Sequence, residues 1–301
     1  MTARRAIIGG FVTIGIGAAL LALWATLGET EGEVLPPAWS WVVAAVLAVV
    51  WLFTAAQAWV VLFDAHDDER RSLTGALLLS QLGKYVPGGG VVQVTSMVAM
   101  SRNERLTASR LSLGLPVVGL SVVAVGGVAL AGLSVADTDL ASWARVLCLL
   151  GLAAPLVLWR PFMESIIRWL RRAIKRIPSP DHLPSQRAIN ISATWTAVSL
   201  TASAIGYAAL LQPLQDERDV VTLTLAFIVA WAAGFLVLPV PGGLGIREAV
   251  LVALIGGAAA SIVGASLAHR MINIGVELAA VGWFYTFGRR LHGGGQDDLT
   301  Q

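Results

Sequence analysis

Pro239-Val240-Pro241-Gly242-Gly243-Leu244-Gly245-Ile246-Arg247-Glu248 interrupts a long apolar region with two prolines, three glycines and an adjacent Arg-Glu pair. Proline ends a helix, and glycine frees the backbone to turn. Arginine and glutamate are expensive at membrane depth unless something pairs with them. An earlier stretch echoes it: Lys84-Tyr85-Val86-Pro87-Gly88-Gly89-Gly90-Val91-Val92-Gln93. Both place Val-Pro-Gly-Gly between two apolar runs. They read as the tips of two broken helical hairpins in an inverted-repeat membrane protein, with a site between them.

Composition agrees. Hydrophobic residues make up 56% of the chain and charged residues only 13%, about half the usual share. No polar block is long enough for a soluble domain. Cys148 is the one cysteine, so no intrachain disulfide is available, and no zinc or iron-sulfur ligand set is visible. No Ser-His-Asp set, P-loop or dinucleotide fingerprint is present. Neither a cofactor nor a nucleic-acid partner is expected.

A spanning helix needs about 20 apolar residues. The expected spans are about 6–27, 38–63, 111–134, 142–159, 188–211 and 265–288, six in all. The first is read as an uncleaved helix, because it exceeds a signal-peptide core and lacks a cleavage site. The first hairpin has short arms, Leu73 to Val86 and Val91 to Met100, and is re-entrant. The second has arms of about 220–238 and 246–262, long enough that a full double span stays open. Residues 161–177 place Phe162, Met163, Ile166, Ile167 and Leu170 on one helical face and Arg168, Arg171, Arg172, Lys175 and Arg176 on the other. That pattern fits a helix lying on an anionic membrane surface. The fold class is therefore all-α, a single transmembrane domain over 1–292. Repeat one is about 1–134 and repeat two about 142–288, followed by a disordered tail, 293–301.

Orientation follows from the basic residues. With both termini cytoplasmic, sixteen Lys and Arg fall inside and only Arg145 and Arg218 outside. Lys84, Arg247 and Arg270 lie within apolar segments, which accounts for all 21. The first hairpin then enters from the cytoplasm and the second from outside.

A helix that starts after Pro241-Gly242-Gly243 points backbone N–H groups and the positive end of its dipole at the tip, which suits a phosphate. Gly245 keeps that turn open, and Arg247 can add paired donors to phosphate oxygens. Glu248 can pair with Arg247, cap the helix or carry a proton. The plainer alternative makes Pro-Gly-Gly a cytoplasmic turn between two full helices, with Arg247 obeying the positive-inside rule. At the first tip Pro87, Gly88, Gly89 and Gly90 are flanked by Lys84 and Gln93. In the last span Arg270, Asn273 and Glu277 share one face. They read as a polar lining opposite the second hairpin, with Arg270 for phosphate and Glu277 as counter-charge or proton carrier, or else as a buried structural pair. His269 is expected at the interface, and the tryptophans as interfacial anchors.

Pro239-Val240-Pro241-Gly242-Gly243-Leu244-Gly245-Ile246-Arg247-Glu248 resembles the signature of the lysylphosphatidylglycerol synthase transmembrane family. Tyr85-Val86-Pro87-Gly88-Gly89-Gly90 is similar to that family's earlier Pro-Gly motif. The family includes the flippase half of the bacterial multiple peptide resistance factor and stand-alone relatives. The resemblance implies a multi-pass protein of the bacterial inner membrane that translocates a lipid with a phosphate-bearing or charged headgroup. A phospholipid or a polyprenyl-phosphate-linked sugar would be the cargo. In the bifunctional relatives aminoacyl transfer belongs to a separate soluble domain, so synthase activity is not expected here. A homodimer, or a glycosyltransferase or other lipid-modifying enzyme as partner, is compatible with this reading. Two alternatives stay open: a membrane-embedded enzyme acting on a lipid phosphate, and a non-transporting partner subunit of a glycosyltransferase.

Overall fold

The computed structural model describes residues 36–63, 67–81, 108–136, 142–173, 183–215, 218–236 and 245–287. Every regular element among them is a helix. In chain order they are α1 (Ala38–Val60), α2 (Asp67–Ser80), α3 (Ala108–Ala136), α4 (Ser142–Leu149), a 3₁₀ stretch (Leu150–Leu158), α5 (Arg160–Ala173), α6 (Gln186–Leu211), α7 (Val220–Leu236), α8 (Ile246–Ile255) and α9 (Ala259–Phe287). Among the described residues three segments are long and apolar enough to cross a bilayer: Ala38–Phe63, Gly114–Val135 and Gln186–Leu214. This is the make-up of a helical membrane protein. The expected span at 6–27 and the whole first tip, Lys84, Pro87, Gly88, Gly89, Gly90 and Gln93, lie outside the described residues, as does the expected tail.

The scaffold is the antiparallel pair α1 and α6. Ser192 donates its hydroxyl to the carbonyl of Ala58 at 2.6 Å, and Ser199 donates to Trp51 at 3.0 Å. Gly206 then backs onto the main chain of Ala44. Each step of seven residues back along α1 is matched by seven forward along α6, the seam repeat of helices packed at a shallow angle. Small residues at these contacts bring the two backbones close, and the carbonyls give the serine hydroxyls acceptors that lipid could not offer. α3 packs on two neighbours at once. Gly126 faces Ala232 of α7, and Gly127 faces Gly151 and Ala154 of the 3₁₀ stretch.

The expected segment at 142–159 is helical as far as Leu158 but is not one α-helix. Only Ser142–Leu149 is α-helical; Leu150–Leu158 winds as 3₁₀ and is followed by an 80° bend into α5. Pro155 supplies no N–H to the helical ladder, and Gly151 is drawn against the backbone of Gly127. The expected surface helix begins at Arg160 and is described as far as Ala173. Its apolar face divides. Met163 and Ile167 are buried against the bundle with Leu62, Val117 and Ile189, whereas Phe162 and Trp169 are exposed. Arg168, Arg171 and Arg172 are also exposed. The helix thus has a protein seam, an aromatic sector and a basic sector, the distribution of a helix at a membrane-water boundary.

The second hairpin also differs from expectation. Its second arm ends at Ile255, not near 262, and α9 begins at Ala259, ahead of the expected 265. Gly256 and Gly257 hold φ of 70° and 82°, left-handed values that stop α8. Arg218 and Gln215, before α7, lie beside Gly256 and Gly257, so both ends of the hairpin sit at one level. α2 starts at Asp67, ahead of the first hairpin arm expected from Leu73.

Outside the bundle, Asp219 caps α7. Its carboxylate accepts the backbone N–H and the hydroxyl of Thr222, each at 2.9 Å. These bonds, the backbone one foremost, hold its carboxyl below the ordinary carboxylate value. A folded-state value below the unfolded one gives stability that is present above the unfolded range and lost as pH falls through the folded value. Asp219→Ala is therefore expected to cost about 1 kcal/mol near pH 7, and the gap from wild type should be smaller at about pH 3. Thermal unfolding of both proteins in detergent at the two pH values checks this; an unchanged gap in acid would assign the loss to packing instead.

Candidate functional site

Gly245 is the residue before α8, at φ 80° and ψ −40°. Glycine takes this conformation without a Cβ penalty, so the helix can start sharply here. Arg247 and Glu248 fall in the first turn. Glu248 stands at the third helical position and reaches back, accepting the Gly245 N–H on Oε2 at 2.8 Å. This is half of a capping box; glycine has no side chain to complete it. The other carboxylate oxygen, Oε1, accepts from Ser266 Oγ at 3.0 Å and Arg270 Nη2 at 2.9 Å, both on α9. One carboxylate thus collects three donors from two helices. The side chains of Arg270 and Glu248 are each only 12% exposed, so the pair is largely desolvated.

Arg247 turns the other way, toward α7. Its guanidinium lies over the Trp231 ring, 3.8 Å from the centroid, and 5.8 Å from that of Phe227. This is a stacked cation-π contact in a buried setting. Of the roles open to Glu248, the geometry shows the cap at Gly245, and its ion pair is made with Arg270 while Arg247 stacks on Trp231.

α9 carries the expected stripe and one further polar residue. Arg270, Asn273 and Glu277 share a face with Ser266, one turn earlier. Glu277 is fully buried and Asn273 nearly so. His269 is not interfacial. It is 1% exposed, edge-on to Phe227 at 5.1 Å and to Tyr207 at 6.3 Å. Asn273 Nδ2 lies 3.5 Å from its Nδ1, a contact whose donor depends on the tautomer. Gly206, lacking a side chain, leaves room for the ring's far edge. Tyr207 stacks on Phe227 at 4.7 Å.

Depth follows from helix rise. At about 1.5 Å per residue, Arg270 lies about 16 Å along α9 from its first residue. Trp231 lies a similar distance along α7. Since both helices start at the same level, the Gly245 end of α8 stops partway down, and the ten residues of α8 measure only about 15 Å.

The structure therefore brings together Gly245, Arg247, Glu248 and Arg270, with Asn273 next along the stripe and Glu277 beyond it. Pro241, Gly242 and Gly243 lie outside the described residues. Ser266, Tyr207, Phe227 and Trp231 were not read from sequence. Ser266 had a signal, four residues before Arg270 on the same face. Trp231 had none: most tryptophans read as interfacial anchors, whereas this one lies inside, edge-on to Trp51 at 6.1 Å. Chemically the cluster can hold an oxyanion through two guanidinium groups, a hydroxyl and a backbone N–H. Among the described residues no group of three or more His, Cys, Asp or Glu is placed to hold a metal ion. Compared with known proteins, the sequence matches no family model and no curated protein.

Proposed function

We propose that this protein translocates a lipid with a phosphate-bearing or charged headgroup across a bacterial inner membrane, in the manner of the lysylphosphatidylglycerol synthase transmembrane family that its Pro-Gly motifs resemble. The headgroup passes along the polar cluster at the second hairpin tip, and the acyl or prenyl tails stay in lipid. The observation that carries this reading is the Arg247-Glu248-Arg270 cluster, buried partway along apolar helices. Ionisable groups are costly there and mark substrate pathways. The short α8 supports a re-entrant form for the second hairpin, and broken helices meeting at the midplane suit alternating access. The basic and aromatic sectors of α5 seat the inner face on anionic lipid.

Native mass spectrometry of the purified protein, with identification of the lipid released, tests the reading. A phospholipid or polyprenyl phosphate is expected to stay bound in the wild type and to be lost in Arg247→Ala. Bulk lipid alone, unchanged by that substitution, would move the weight to a plain turn and a partner-subunit role.

A further inference from the structure

The Glu248 carboxylate fills the place that an incoming oxyanion would take. Its two oxygens are held by the Gly245 N–H, the Ser266 hydroxyl and Arg270. A phosphodiester presents the same kind of paired acceptors, and these donors are the ones suited to it. The Arg270 Nε is buried and has no hydrogen-bond partner among the described residues, so the guanidinium keeps a donor in reserve.

We propose that Gly245, Ser266 and Arg270 form an oxyanion site for the headgroup phosphate, that Glu248 is its resting occupant, and that binding displaces Glu248 together with uptake of one proton from solvent. The proposal rests on the reading of the hairpin tip as the headgroup site, and it adds what that site is coupled to. Two anions cannot share one buried donor set, because their repulsion is weakly screened there. Glu248 moved off Arg270 in its charged form would be a desolvated, uncompensated carboxylate. Protonated, it carries no charge and can leave these donors without becoming a buried, uncompensated anion. The proton joins a carboxylate oxygen; no other bond forms or breaks.

Among the described residues the surroundings offer few other proton carriers. On its own helix Glu248 has Arg247 beside it. α9 presents Arg270 and, next to it, His269, with Glu277 two turns along the stripe. α6 contributes Tyr207, and α7 only the rings of Phe227 and Trp231. Of these, His269 is the one to be separated from Glu248 experimentally.

The test is binding of dihexanoyl phosphatidylglycerol to the full chain in detergent at pH 6 and pH 8, with dihexanoyl phosphatidylcholine as the headgroup control. The phosphodiester keeps its charge over this interval, so any change reports the protein. Wild type is expected to bind about 10- to 100-fold more tightly at pH 6, the range set by uptake of one proton. Glu248→Gln should bind equally at both pH values, at or above the wild-type affinity at pH 6. His269→Gln should keep the wild-type pH dependence. Inorganic sulfate, a free oxyanion of fixed charge, separates the sources. Competition by sulfate assigns the site to free oxyanions as well as lipid; none assigns it to the headgroup with its tails.

Equal wild-type affinity at both pH values, or pH dependence persisting in Glu248→Gln, would overturn the proposal. Loss of the dependence in His269→Gln would overturn it too, and decides the matter if Glu248→Gln does not fold. The underlying headgroup reading fails on a different result: phosphatidylglycerol binding that Arg247→Ala leaves unchanged.

Discussion

Glu248→Ala is expected to destabilise the protein by about 3–5 kcal/mol. The carboxylate accepts three hydrogen bonds, and its loss leaves Arg270 charged, largely buried and without its counter-ion. The missing cap at Gly245 adds about 1 kcal/mol at most. The two contributions can be separated. Glu248→Ala combined with Arg270→Met removes both charges and puts an apolar chain in the gap, so it should recover most of the loss. Denaturant unfolding in mixed micelles, followed by tryptophan fluorescence, provides the measurement. Equal losses in the single and double variants would mean that the cap, not the ion pair, holds α8 against α9. A single variant as stable as wild type would remove the pair from any structural role.

The second large effect concerns transport. In proteoliposomes carrying fluorescent phosphatidylglycerol, Arg247→Ala should lower the rate of headgroup exchange between leaflets about 10- to 100-fold, the loss of one charge-assisted hydrogen-bonding group. Glu277→Ala should do the same, with insertion unchanged in both. Arg247→Lys should recover only part, because an ammonium keeps the charge but loses the planar fork and much of the stacking on Trp231. Wild-type rates in both alanine variants would sink translocation through this cluster.

The spans most easily read from the sequence are those with unbroken apolar runs. The expected 38–63, 111–134 and 188–211 match Ala38–Phe63, Gly114–Val135 and Gln186–Leu214 within a few residues. The run at 142–159 is as apolar, but apolarity does not report winding. Pro155 and the close approach of Gly151 to Gly127 decide that. The end of α8 had a signal in Gly256-Gly257, which alanines on the following side disguised as continuing helix. Arg247, Glu248 and Arg270 stood out because ionisable residues are rare in apolar runs. Which of them pair was not legible, since pairing depends on how far α8 reaches down α9. That reach is set by two left-handed glycines rather than by the charged residues themselves.

The seam between α1 and α6 bears on the order in which the molecule is assembled. Its two cross-helix bonds join residues 134 and 148 positions apart in the chain. While α2 to α5 are being made, the Ala58 and Trp51 carbonyls have no serine to meet. α1 must therefore wait for α6 to emerge before its closest helical contact can form. Contacts of such long range slow the final step of folding and leave an intermediate exposed in the meantime.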